Sequence, residues 1–298
     1  MFKNVIVGVD GKDGSRDAIV LARRLVERDG ALTLAYVYWD ETHVWRGSNA
    51  DFDLAEREQA HELLERTREE AEIDAQLRWH GSSSVGRGLH EVAEAADADL
   101  LIIGSPNSGL LGRIHVTQSI HDALNGAPCA VALAPAGYSH EPSAMREIGV
   151  GYDGSPESEH AIAVAREIAR QHDAKLSAFE AISVPTAITH RHSASSETTI
   201  DDLVAQARDQ IAALGGVEPH AAYGNPAEEL ALYGASLDLL VIGSRGYGPR
   251  KRLVHGSTAS HLARRARCPL LVLTRSAREH TTNGDAGAAG RAAEMSGA

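Results

Sequence analysis

Short apolar runs alternate along the chain with longer stretches of helical period. In the first half the runs from Lys3 to Asp10, Ala31 to Tyr38, Asp74 to His80, Asp99 to Gly104 and Cys129 to Ala134 predict strands. In the second half the same reading predicts strands at Arg146 to Asp153, Ala174 to Ile182, Val217 to Tyr223, Asp238 to Gly243 and Pro269 to Thr274. β-rich runs separated by amphipathic helices imply βα units and a parallel sheet covered on both faces. The pattern therefore predicts an α/β fold in two doubly wound, Rossmann-like halves. The segment Asp53 to Glu72 carries charges of both signs at helical spacing, which suits a solvated helix face.

The two halves are copies of one unit. "VIVGVDGKDGSRDAIVLAR" from Val5 lies without gaps over "IGVGYDGSPESEHAIAVAR" from Ile148, placing Gly8 on Gly151 and Asp10 on Asp153. "ADLLIIGSPN" from Ala98 lies over "LDLLVIGSRG" from Leu237, and "GAPCAVAL" from Gly126 over "RARCPLLV" from Arg265. The expected domains span 1–136 and 146–275. Between them "APAGYSHEPSAMRE", Ala134 to Glu147, has the Pro, Gly and Ser content of an exposed linker. The tail 276–298 is small and polar and is expected to be disordered.

Composition narrows the possible partners. The 298 residues carry a net charge of −12, which argues against general affinity for nucleic acid or anionic lipid. No run approaches a membrane span and no signal peptide is legible, so a cytoplasmic protein is expected. The two cysteines, Cys129 and Cys268, lack zinc or redox spacing and sit in apolar segments, where core packing is the expectation. The histidines of "THRHS", Thr189 to Ser193, lack the convergent partners a metal needs, and no metal site is assigned.

The candidate chemistry lies in "GSRGYGPRKRLVHGSTASHLARRARCP", Gly243 to Pro269. In an open parallel sheet a ligand sits beyond the carboxyl ends of the strands where strand order reverses. Gly243 ends the fourth strand of its half and Asp153 ends the first. Glycine at such points permits positive φ or close approach of a ligand to the backbone, and Gly246 offers the same freedom. Gly256, Ser257 and Thr258 directly precede a helical segment, bringing free N–H groups and two hydroxyls to a helix N-terminus, which is anion-binding geometry. Arg245, Arg250, Lys251 and Arg252 add a local positive field in an acidic chain. Taken singly, these features also fit a turn and an ordinary N-cap. Asp153, before a glycine, fits an Asx turn as well as a contact to ribose or Mg²⁺. His255 is placed to reach a phosphate or to pack.

Gly243-x2-Gly246-x9-Gly256-Ser257 after a strand ending "LLVIG", together with the early "GYDGSPESEHA", resembles the ATP-binding signature of the universal stress protein family. The duplication is similar to that family's tandem members. No G-x4-G-K-[ST] pattern occurs. The resemblance implies a five-stranded parallel sheet in each half, ATP with Mg²⁺ between the first- and fourth-strand loops, and homo-oligomers formed through the terminal strands. Carried over residue by residue, it implies nucleoside contacts at Gly151, Asp153 and Ala181. It implies phosphate contacts at Gly243, Arg245, Gly246, Gly256, Ser257 and Thr258, to which Arg250 and Lys251 are added as binding candidates by their charge.

The first half departs from the signature. In "GSPNSGLLGRIHVTQS", Gly104 to Ser119, Asn107 replaces the second glycine, Thr117 the third, and Gln118 the serine. β-branched Thr117 adds bulk beside the phosphates, and the basic residues shrink to Arg113 and His115. Weak ATP binding and a largely structural role are expected here, with Gly8, Asp10, Gly104, Asn107, Thr117 and Gln118 as the residual site. No nucleophile, base and orienting acid can be assembled from spacing. The sequence thus points to an ATP-binding stress or signalling module. A slow ATPase or other nucleotide-dependent enzyme, and a scaffold with a vestigial site, are the alternatives.

Overall fold

The computed structural model describes residues 2–40, 50–106, 112–183, 199–244 and 262–274, with no side-chain detail for 50–54. In the first half β1 (Phe2–Gly8), β2 (Val26–Trp39), β3 (Gln76–Ser82), β4 (Leu100–Gly104) and β5 (Ala130–Ala134) alternate with α1 (Asp13–Leu25), α2 (Ala50–Ala71), α3 (Val85–Ala95) and α4 (Gln118–Leu124). The second half has β6 (Glu147–Gly151), β7 (Lys175–Ile182), β8 (Glu218–Tyr223), β9 (Leu239–Gly243) and β10 (Leu270–Leu273). Its helices are α5 (Pro156–His172), α6 (Ile200–Ala212) and α7 (Pro226–Tyr233). A further helical turn covers 262–265. The expected tail, 276–298, lies outside the described residues.

The strands form one ten-stranded sheet in the order β3-β2-β1-β4-β5-β10-β9-β6-β7-β8. Pairing within each half is parallel, and β5 meets β10 antiparallel, with Leu271 opposite Ala132. The two expected five-stranded sheets therefore run on as one. The terminal strands, expected to pair between protomers, pair with each other inside a single chain, and each has both edges occupied. The sequence explains the central position of these strands. "LLIIG", "AVALA" and "LLVIG" are apolar on both faces, as strands covered by helices on both sides must be.

Duplicated polar clamps hold each half together. Asp99, just before β4, accepts the backbone N–H groups of Lys3 (2.7 Å) and Asn4 (3.0 Å) at the start of β1. Asp238 does the same for Arg146 (2.6 Å) and Glu147 (3.2 Å). Arg23 on α1 donates to the carbonyls of Ala71 and Glu72, and Arg166 on α5 to those of Leu214 and Gly215, satisfying orphan carbonyls after a helix.

The linker departs from the exposed segment its composition suggested. Ala136, Tyr138 and Met145 are buried. The cause is Asp17 on α1, fully buried, whose two carboxylate oxygens accept the N–H groups of Gly137 (2.8 Å) and Ser139 (2.7 Å). Cys129 and Cys268 are both buried in the core, where burial pushes each thiol up to about 12.

Candidate functional site

In each half strand order reverses between the first and fourth strands, β1 with β4 and β6 with β9. The crevice beyond their carboxyl ends is where an open α/β sheet holds ligands. The first half has a cleft of about 590 Å³ there, within the usual range for small-molecule sites. Its floor is apolar, formed by Ala35, Val37, Leu89, Ile103 and Ile120, and its rim carries Asp10, Lys12, Ser15, Thr117 and Ser119. Gly8 and Gly104 line it from the strand ends. Sequence reasoning placed Gly8, Asp10, Gly104 and Thr117 at this site, and the fold brings these four together.

Asp10 closes a turn as well as facing the cleft. Its Oδ1 accepts the Lys12 backbone N–H (3.1 Å) and the Ser15 hydroxyl (3.0 Å), while its own N–H donates to Ser15 Oγ (2.9 Å). Lys12 Nζ lies 3.3 Å from Asp10 Oδ2. Asp153 repeats the arrangement, accepting the Ser155 N–H (3.0 Å) and donating its N–H to Ser158 Oγ (3.4 Å). The Asx turn given as an alternative for Asp153 is thus realised, and Asp10 forms the same turn. The positive φ in these turns belongs to Gly11 (74°) and Gly154 (70°), which follow the aspartates.

Gly243, expected to offer positive φ or close ligand approach, and its counterpart Gly104 are instead sites of close backbone packing, without positive φ. A Cβ on Gly104 would collide with the carbonyl of Gly14, and one on Gly243 would stand 2.5 Å from the Glu157 carbonyl. Both glycines let the start of a helix press against a strand end.

Two of the residues that break the signature are already engaged. Thr117 caps α4, its hydroxyl oxygen accepting the Ile120 N–H (3.3 Å). Gln118 does not line the cleft; its Nε2 donates to Asp122 Oδ1 (2.6 Å) along the helix. Ser119 keeps a hydroxyl at the position matching Thr258, a cleft residue that sequence reasoning passed over although the same alignment marks it. Asn107 lies outside the described residues, as do Arg245, Gly246, Arg250, Lys251, Arg252, His255, Gly256, Ser257 and Thr258.

The sheet floor differs between the halves. Register places Ala35 beside Gly8 and Phe179 beside Gly151, so Phe179 stands where the first half has Ala35. Phe179 is buried and stacks on Tyr233, with ring centroids 5.0 Å apart. Tyr233 bonds Ser177 through its hydroxyl (2.5 Å), and desolvation raises the pKa of its phenol. Ala181, further along β7, is half-buried on the same face as Phe179 and corresponds to Val37 in the first cleft. Glu180 points to the opposite face. Its Oε2 is buried without a hydrogen-bond partner among the described residues, and burial raises its pKa.

The sequence model of the universal stress protein family matches this chain twice, over residues 1–135 and 145–274. The chain belongs to the universal stress protein family. A family member from Mycobacterium tuberculosis is 26% identical over 187 residues, 60% of this chain and 63% of that protein. The chain thus matches less than two thirds of that relative's length. A shorter universal stress protein from Thermus aquaticus is 31% identical over 135 residues, 43% of this chain and 98% of its own. Among solved structures, a universal stress protein from Archaeoglobus fulgidus superposes with a TM-score of 0.66 at 19% identity, covering 91% of this chain and 98% of that one. A putative universal stress protein from Pseudomonas aeruginosa gives 0.58 at 18% identity, with 92% and 93% covered. These two likenesses concern the fold. No helix among the described residues is long and apolar enough to cross a membrane.

Proposed function

We propose that this universal stress protein is a nucleotide-responsive stress or signalling module whose second half binds ATP at the carboxyl ends of β6 and β9. The observation that carries the reading is the switch-point cleft of the first half. A duplicated unit that opens a ligand-sized crevice there, beside an Asp-Gly turn built alike in both copies, supports a site at the matching place in the second copy. There the sequence adds what a polyphosphate needs: Gly243, Gly246 and Gly256 for close approach, Ser257 and Thr258 before a helix, and Arg245, Arg250 and Lys251 for charge.

Asp153 suits a magnesium nucleotide: one oxygen is fixed in the turn, and a carboxylate retains further acceptor capacity for a ribose hydroxyl or a hydrated Mg²⁺. Mg²⁺ would neutralise part of the phosphate charge. Gly151 and Ala181 would meet the nucleoside. In this reading the bound nucleotide changes contacts with partners instead of feeding rapid turnover, and a homo-oligomer would use surfaces other than the edges of β5 and β10.

Mass spectrometry of nucleotide released from the purified chain, with a hydrolysis time course, tests the proposal. Bound ATP, weakened by Gly246→Ala and by Gly256→Ala in folded protein, is expected. Turnover on the order of 10 s⁻¹ would instead establish an enzyme. Absence of ATP binding would leave the scaffold reading.

A further inference from the structure

We propose that a crevice at the junction of the two halves binds an apolar α-amino acid as its zwitterion. The crevice, of about 470 Å³, opens where the carboxyl end of β5 meets the amino end of the antiparallel β10. That volume lies within the range of small-molecule sites. It shares no lining residue with the switch-point cleft, so the inference stands apart from the nucleotide reading.

Preorganisation is the first argument. Both halves supply the walls: Pro135 and Tyr138 follow β5, Leu237 precedes β9, and Cys268 and Pro269 precede β10. The side that the linker forms is tied down by its own bonds. Asp17 accepts the Gly137 and Ser139 N–H groups, and the Gly112 N–H donates to the Ala136 carbonyl (2.7 Å). The Tyr138 and Ser143 hydroxyls lie 3.0 Å apart, and Ser143 in turn reaches the Asp238 carbonyl (3.4 Å) at the start of β9. A wall held in this way spares a ligand the cost of ordering a loop.

Chemistry is the second argument. Two proline rings, Leu237 and the buried Cys268 thiol, kept neutral by a pKa pushed up to about 12, give apolar surface for a side chain. Arg267 from the second half and Glu141 and His140 from the linker also line the crevice, and all three are exposed. None of these three side chains makes a hydrogen bond or ion pair among the described residues, so a ligand engages them without breaking an internal pair. An apolar monocarboxylate would satisfy Arg267 but face Glu141, and an apolar amine would do the reverse. An α-amino acid carries both groups on one carbon. Its carboxylate can accept from Arg267 and His140, its ammonium can donate to Glu141, and its side chain can rest on the walls.

The test titrates L-phenylalanine into the full chain by calorimetry, with and without Mg-ATP. One molecule is expected to bind per chain in both conditions. Phenylalanine amide, which lacks the carboxylate, and N-acetylphenylalanine, which lacks the ammonium, should each bind about tenfold more weakly. Arg267→Gln should weaken phenylalanine about tenfold and leave the amide unchanged, whereas Glu141→Gln should weaken phenylalanine and leave the N-acetyl compound unchanged. Both side chains are exposed, so neither substitution disturbs the core. Failure of phenylalanine to bind, equal binding of all three compounds, displacement by ATP, or indifference to both variants overturns the inference. A separate titration of ATP alone decides the nucleotide reading, which none of these results touches.

Discussion

The carbonyl oxygen of Gly14 occupies the space that a Cβ on Gly104 would need. Because the obstacle is backbone, no rotamer change relieves it, and either α1 or β4 must move. Gly104→Ala is expected to destabilise the chain by about 3 kcal/mol, the upper part of the range for overpacking. Gly243→Ala, facing Glu157 at 2.5 Å, should cost less. Urea unfolding measures both. Equal costs would mean that the two helix starts are not held against their strands as described.

Asp17 anchors the junction between the halves. Removing its carboxylate leaves the N–H groups of the half-buried Gly137 and Ser139 without their acceptor, at about 1 kcal/mol or more each. Asp17→Ala should therefore destabilise by about 2 kcal/mol or more, while Asp17→Asn, which keeps one acceptor oxygen, should lose about half as much. Proteolysis in native buffer should cut Asp17→Ala first between Ala136 and Met145. Unchanged resistance there would show that burial of Tyr138 and Met145 holds the segment unaided.

How much of this was legible in the sequence differs from element to element. All ten strands could be read, because β4, β5, β9 and β10 are apolar runs too short for helices and the others alternate or end in turn residues. The cleft position followed from Asp10 and Gly104, which mark the two strand ends flanking the switch point. Three features were not legible. The β5 to β10 pairing joins segments far apart in sequence, and the same apolar pattern fits pairing within or between chains. The buried linker depends on Asp17, which on a helix of mixed polarity looks like any surface acid. The contrast between Ala35 and Phe179 emerges only when register places both beside a strand-ending glycine.

Glu180 makes stability depend on pH. Burial raises its pKa in the folded chain, and Oε2 has no hydrogen-bond partner among the described residues. For a carboxyl raised on folding, the protonated form is the better tolerated. Its contribution is fully present below the ordinary glutamate range and is lost as pH rises through the folded pKa. Glu180→Gln removes that loss. At pH 7 the variant should be the more stable by about 1 kcal/mol, and the two stability curves should converge below about pH 4. A constant offset across that interval would assign the difference to packing and not to ionisation.

Gly149 and Tyr233 form a size-matched pair, at a strand position where the first half has Ile6. A Cβ on Gly149 would stand 2.6 Å from the Tyr233 hydroxyl oxygen and would collide with Leu237. The tyrosine therefore lies over β6 only because β6 has no side chain there, and its ring then supports Phe179. Gly149→Ala should destabilise by about 1–3 kcal/mol, since the Tyr233 ring is held by its bond to Ser177 and cannot swing aside freely. Tyr233→Val should also destabilise, by the cavity it opens beside Phe179. Made together, the two substitutions put a side chain on the strand and take away the large ring that faces it. The double variant should be more stable than the sum of the single losses predicts, with a coupling of at least about 1 kcal/mol. Additivity to within about 0.5 kcal/mol would show that Gly149 is required for some reason other than the tyrosine above it.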